Sequence, residues 1–83
     1  MSMSMSNRLN YIKVKYMLKN LGLTLEDVGT YCNNASKQLT QSALVSGYRP
    51  SKRSKQGRLV YDYVVKLAKQ NNYNIYEDGS NQI

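Results

Sequence analysis

The sequence predicts an all-α protein, a small bundle of about four helices, and three observations lead there. Its apolar residues recur near the 3.6-residue period rather than in alternation, which is the helical signature. Stop and start signals at Gly22, Thr24, Asn33-Asn34, Gly47 and Asn71-Asn72 divide that pattern into four segments. The chain has 83 residues, enough for one small domain that removes only roughly 60% of its unfolded surface from water. β-structure is not expected.

Helix 1 is expected over about residues 8–21. Leu9, Ile12, Tyr16 and Met17 fall at i, i+3, i+7 and i+8 and make its apolar stripe, widened by Leu18 and Leu21, with Lys13, Lys15 and Lys19 off it. Gly22 then suits the left-handed position that ends a helix. Thr24 reads as the N-cap of helix 2, with Asp27 placed to return the bond in a capping box, and Leu23 and Val28 as a hydrophobic staple. Glu26 and Asp27 stand in the first turn, where the helix dipole favours anions. Helix 2 ends near Cys32, and Gly29 inside it lowers its intrinsic propensity by about 1 kcal/mol relative to Ala.

Asn33 and Asn34 tolerate left-handed geometry and make the turn, with Asn34 able to cap helix 3. Helix 3 spans about residues 35–46, with Ala35, Leu39, Ala43 and Leu44 inward. Ser36, Lys37, Gln38, Thr40, Gln41 and Val45 lie on its other face. Gly47 closes it. A loop follows, and Ser54 is placed to cap helix 4 over about residues 55–71. There Leu59, Tyr63, Val64 and Leu67 form the apolar face, with Val60 and Ala68 at its edge. Asn74-Ile75-Tyr76 is a short extended piece or last turn. The domain organisation is thus a disordered Met/Ser tail at 1–7, one domain over 8–76, and a polar tail at 77–83.

Composition narrows the function. Twelve Lys plus Arg against five Asp plus Glu give a net charge of +7, and the chain holds no His, one Cys and 8 Tyr. The absent His removes the commonest general base and the commonest metal ligand. One Cys excludes an intramolecular disulfide or a multi-Cys zinc site. An enzyme is therefore not expected, nor a cofactor, a metal or a small-molecule ligand. A lone thiol fits a reducing, cytoplasmic setting. No apolar run approaches the roughly 20 residues of a membrane span. The cationic excess points to a polyanion, nucleic acid foremost. Its acids gather mostly at the start of helix 2 and in the tail, away from the cationic surface.

The informative stretch is residues 23–47. A short capped helix, a brief turn and a second helix with a polar face follow the order of a helix-turn-helix, whose second helix enters the major groove. Val28 and Leu39 are placed to pack the two helices, and Gly29 is small where they must approach. Leu23-Thr24-Leu25-Glu26-Asp27-Val28-Gly29, then Asn33-Asn34-Ala35-Ser36, then Leu39, carry a resemblance. So does the proline-containing basic segment Tyr48-Arg49-Pro50-Ser51-Lys52. On these residues the chain resembles the lambda-repressor-like helix-turn-helix regulators, and among them is most similar to the small Ner-type phage and prophage DNA-binding proteins. The resemblance covers about residues 14–68. It departs at Asn33, where that group commonly has Gly, and in the spacing from Leu39 to Gly47, about one residue longer. It implies a DNA-binding transcriptional regulator of repressor type, with helix 3 as the recognition helix, in a bacterial cell or phage-infected host.

The expected site follows. Ser36, Lys37, Gln38, Thr40 and Gln41 contact bases, with Gln suited to adenine and Lys to guanine. Lys13, Lys15, Tyr48, Arg49, Lys52, Arg53, Lys55 and Arg58 contact phosphates. Five of those cations fall within residues 49–58 with no acid among them, a repulsion that a phosphate backbone would relieve. The expected partner is double-stranded DNA, bound as a homodimer by analogy with the group, with helix 4 and Ile75-Tyr76 supplying the interface. Tyr16 and Tyr63 are expected in the core, Tyr61 at the surface, Cys32 buried, and Asp62 paired with Lys66 one turn on. Two alternatives compete: an excisionase-like or RNA-binding accessory protein, and a basic adaptor or inhibitor that grips an acidic partner protein.

Overall fold

The computed structural model describes residues 8–77. The expected tail at 1–7 and residues 78–83 of the other lie outside the described residues. Four helices follow one another: α1 (Tyr11–Asn20), α2 (Leu25–Tyr31), α3 (Lys37–Ser46) and α4 (Lys55–Asn71). Among the described residues there is no strand, only an isolated antiparallel bridge between Leu9 and Tyr76. The protein is an all-α bundle, as its periodicity predicts.

Local chemistry explains most boundaries. Asn10 caps α1, its side chain accepting from the N–H groups of Ile12 and Lys13. At the other end Gly22 is left-handed (φ 75°). The Leu23 N–H donates to the Leu18 carbonyl at 2.8 Å and that of Gly22 to Lys19 at 3.1 Å, the paired closure of a Schellman motif. Thr24 and Asp27 form the expected capping box, with mutual bonds of 3.1 and 3.0 Å. The turn uses left-handed Asn33 and Asn34, at φ 63° and 58°. Ser36, not Asn34, caps α3 by accepting from the Leu39 N–H at 3.1 Å. Helix α3 therefore starts two residues later than expected. Left-handed Asn72 ends α4, where the Tyr73 N–H reaches the Ala68 carbonyl at 2.9 Å.

The core gathers Val14, Met17 and Leu18 from α1, Val28 from α2, Ala43 and Leu44 from α3, and Val60, Tyr61, Val64 and Ala68 from α4. Burying each large member removes it from water at a gain of about 1.5–3 kcal/mol. Two faces differ from expectation. In α1, Ile12 and Tyr16 point outward, 77% and 64% exposed. The helix begins at Tyr11, so Leu9 lies before it and lends no weight to their stripe. Val14, Met17, Leu18 and Leu21 repeat at i, i+3, i+4 and i+7 and win the interior. In α4 the buried face is turned by about one residue. Val60, Tyr61 and Ala68 face inward and Leu59 is 46% exposed.

Both ends of the described chain are tied to the core. Leu9 and Ile75 are fully buried. The Leu9 N–H donates to the Gly47 carbonyl at 2.7 Å, Asn10 to Ile75 at 2.8 Å, and Glu77 to Arg8 at 2.8 Å. Ile75 thus serves this chain's own core and is not spare for a dimer interface. Glu77, expected in the tail, belongs to the same ladder. Cys32 is buried and free, as expected, and burial pushes its thiol pKa up.

Candidate nucleic-acid interface

The α2–α3 pair positions the candidate site. The Ala35 N–H donates to the Gly29 carbonyl at 2.8 Å, folding the turn back on α2. A Cβ on Gly29 would overlap the Ala35 carbonyl oxygen and stand 3.0 Å from Thr40 Oγ1. The expected close approach at Gly29 is therefore present. Gln56 Nε2 donates to the Asn33 carbonyl at 2.8 Å and ties the turn to α4. The consequence is an α3 held from both sides with its remaining face in solvent.

On that face Lys37, Gln38 and Gln41 are exposed, and their side chains make no hydrogen bond or ion pair among the described residues. Two of the five expected base-contacting residues are used otherwise. Thr40 is fully buried, and its hydroxyl donates to the Ser36 carbonyl at 2.8 Å. It packs beside Gly29 and cannot reach a base, so it leaves the candidate set. Ser36 is exposed, but its hydroxyl is committed to the cap. Sequence reasoning missed Ser42, exposed and one turn beyond Gln38. The helical period from Gln38 would have found it.

The cations divide likewise. Lys15, Lys52, Arg53 and Lys55 are exposed. Lys15 Nζ lies 5.5 Å from the Tyr11 ring centroid. Together with Thr24, Glu26, Lys37 and Gln41 it lines a concavity of about 420 Å³ beside the start of α3. Glu26 is an acid in that surface, contrary to the expectation that acids lie away from it. Lys13 Nζ donates to the Tyr76 carbonyl at 3.0 Å and fastens α1 to the C-terminal segment. Arg58 Nε donates to the Pro50 carbonyl at 2.8 Å.

Arg49 makes a two-pronged pair with Asp62, Nε to Oδ1 at 3.0 Å and Nη2 to Oδ2 at 2.9 Å. Asp62 is thus paired with Arg49 and not with Lys66. The hydrogen bonds from Arg49 hold the Asp62 carboxyl below its ordinary range. Tyr48 is 63% exposed, and the Arg8 guanidinium lies over its ring at 5.6 Å from the centroid.

The other tyrosines are redistributed. Tyr16 is outside and Tyr61 inside, the reverse of expectation. Tyr63 packs against the core and meets the Tyr31 ring at 5.7 Å between centroids. Among the described residues no cluster of three or more His, Cys, Asp or Glu is placed to hold a metal, and no helix is long and apolar enough to cross a membrane. Comparison with protein families, curated proteins and solved structures finds no match to this chain.

Proposed function

We propose that this chain is a sequence-specific double-stranded DNA-binding protein, a small transcriptional regulator of repressor type, with α3 entering the major groove. The observation that carries the reading is the α2–α3 unit. A capped helix and a left-handed Asn turn clamp α3 at Gly29 and leave Lys37, Gln38 and Gln41 outward with no hydrogen-bond or ion-pair partner among the described residues. In this reading α2 crosses the backbone and α3 reads base edges. Gln38 and Gln41 pair with adenine N6 and N7, and Lys37 reaches guanine O6 and N7. Lys15, Lys52, Arg53 and Lys55 meet phosphates and set the register.

The resemblance of residues 23–29 and 33–39 to Ner-type regulators supports a phage or mobile-element role in the cytoplasm of a bacterial or phage-infected cell. A two-fold pair would double the site read, with exposed Leu59 on α4 available for the contact. The test is selection of bound sequences from a random duplex library. The reading predicts a short enriched sequence, palindromic if the chain pairs. Equal retention of all duplexes would count against sequence specificity, and no retention against DNA binding.

The adaptor reading has one observation in its favour. Exposed Ile12 and Tyr16, with Lys15 and Lys19, line an apolar groove of about 570 Å³ between α1 and the start of α2. Under that reading nuclease-treated lysate yields one stoichiometric acidic partner, lost in Ile12→Asp. Under the DNA reading it yields none.

A further inference from the structure

The outward face of α3 carries chemistry more particular than a liking for duplex DNA. Gln38, Gln41, Ser42 and Val45 border a shallow concavity of about 480 Å³ along it. Gln41 and Val45 stand four residues apart, so their side chains are neighbours on the helix surface. Val45 is 47% exposed. A lone exposed Val means little, but this one is set among uncharged hydrogen-bonding side chains. Helix α3 contains no Arg, and its one cation, Lys37, is its first residue.

Each base offers the major groove something different. Guanine is read mainly by Arg or Lys, adenine by the paired donor and acceptor of Gln, and thymine presents a methyl group that takes apolar contact. Resting on the assignment of α3 as the groove helix, we infer that Gln41 and Val45 together select adjacent A·T pairs. Gln41 takes adenine N6 and N7, and Val45 packs on the C5-methyl of a neighbouring thymine. Lys37 lies eight residues before Val45, about 12 Å along the axis. Any guanine contact belongs at that opposite end of the footprint.

The test starts from the sequence selected by the full chain out of a random duplex library. Thymines of its core are then replaced by uracil, which removes only the methyl. The expected core contains at least two consecutive A·T pairs. Uracil should weaken binding of the wild-type chain by about fourfold, the worth of one buried methyl, and should add no penalty in Val45→Ala. Gln41→Ala should lose about tenfold in its preference for adenine. Both positions are exposed, so the variants should melt with the parent.

A G·C core, a uracil site bound as tightly as the thymine site, or a uracil penalty that persists in Val45→Ala would each overturn the inference while leaving duplex recognition standing. A chain that enriches no sequence would instead bring down the groove-helix assignment, and the inference with it.

Discussion

The outward face of α3 and the basic segment at residues 49–58 both look like binding surface in the sequence, yet their side chains are in opposite situations. On α3 the polar groups Lys37, Gln38 and Gln41 have no partner within the described residues, while Thr40, which looks equivalent in the sequence, is buried and the Ser36 hydroxyl is committed to the cap. In the basic segment the richest run of charge is partly consumed by the fold. Arg49 is held by Asp62 and Arg58 by the Pro50 carbonyl, leaving Lys52, Arg53 and Lys55 outward. The contrast teaches that a charge count overstates a phosphate footprint. A guanidinium that a carboxylate already neutralises, or that a backbone carbonyl holds in place, keeps spare N–H donors but has less charge and freedom to offer a phosphate.

The comparison breaks most completely if the clamp behind α3 is disturbed. Gly29→Ala should destabilise the protein by about 1–3 kcal/mol through overpacking, although Ala is the better helix former by about 1 kcal/mol. Urea denaturation reads this directly. A stabilised variant would mean that α2 and α3 do not meet as closely as the Ala35 carbonyl and Thr40 hydroxyl require.

Next come the cations. Arg53→Ala should weaken binding to every duplex alike and lower the salt slope by about one unit. Arg49→Ala should change that slope less, because Asp62 already neutralises it, and should loosen the segment instead. Equal slopes for the two variants would erase the distinction between them.

The smallest effect belongs to Asp62. Its carboxyl pKa is lowered in the folded protein, chiefly by the hydrogen bonds from Arg49. The stability it adds is therefore present above the ordinary carboxylate pKa of about 3.9 and fades as the pH falls through the lowered folded value. Both partners are about half exposed, at 50% and 51%, so the contribution is modest. Melting curves of the parent and Asp62→Asn should differ slightly at neutral pH and converge in acid. A gap that widens in acid would reverse the sign.

Much of the fold is legible in residues that act locally. Thr24 with Asp27, Gly22, Asn33-Asn34, Gly47 and Asn72 fix helix ends through bonds spanning a few residues, so sequence spacing suffices to place them. The same holds for Gly29, whose lack of a side chain announces close approach. What sequence alone misplaced depends on which of two apolar faces wins. Helix α1 offers Ile12 and Tyr16 on one side and Val14, Met17 and Leu18 on another, and only packing against the other helices decides. Tyr61 went inward and Leu59 outward for the same reason.

In the candidate site Lys37, Gln38 and Gln41 were legible from helical periodicity. Thr40 was not, because its burial follows from the turn closing over Gly29. The pairing of Arg49 with Asp62 spans 13 residues and joins a loop to a helix, beyond the reach of any local rule.

The central claim is that α3 reads bases, and one measurement meets it most directly: the affinity of the parent and of Gln41→Ala for the selected site and for random duplex at a fixed salt concentration. The account predicts a loss of about 1–3 kcal/mol on the selected site and almost none on random DNA. An equal loss on both, or no loss on either, would contradict it.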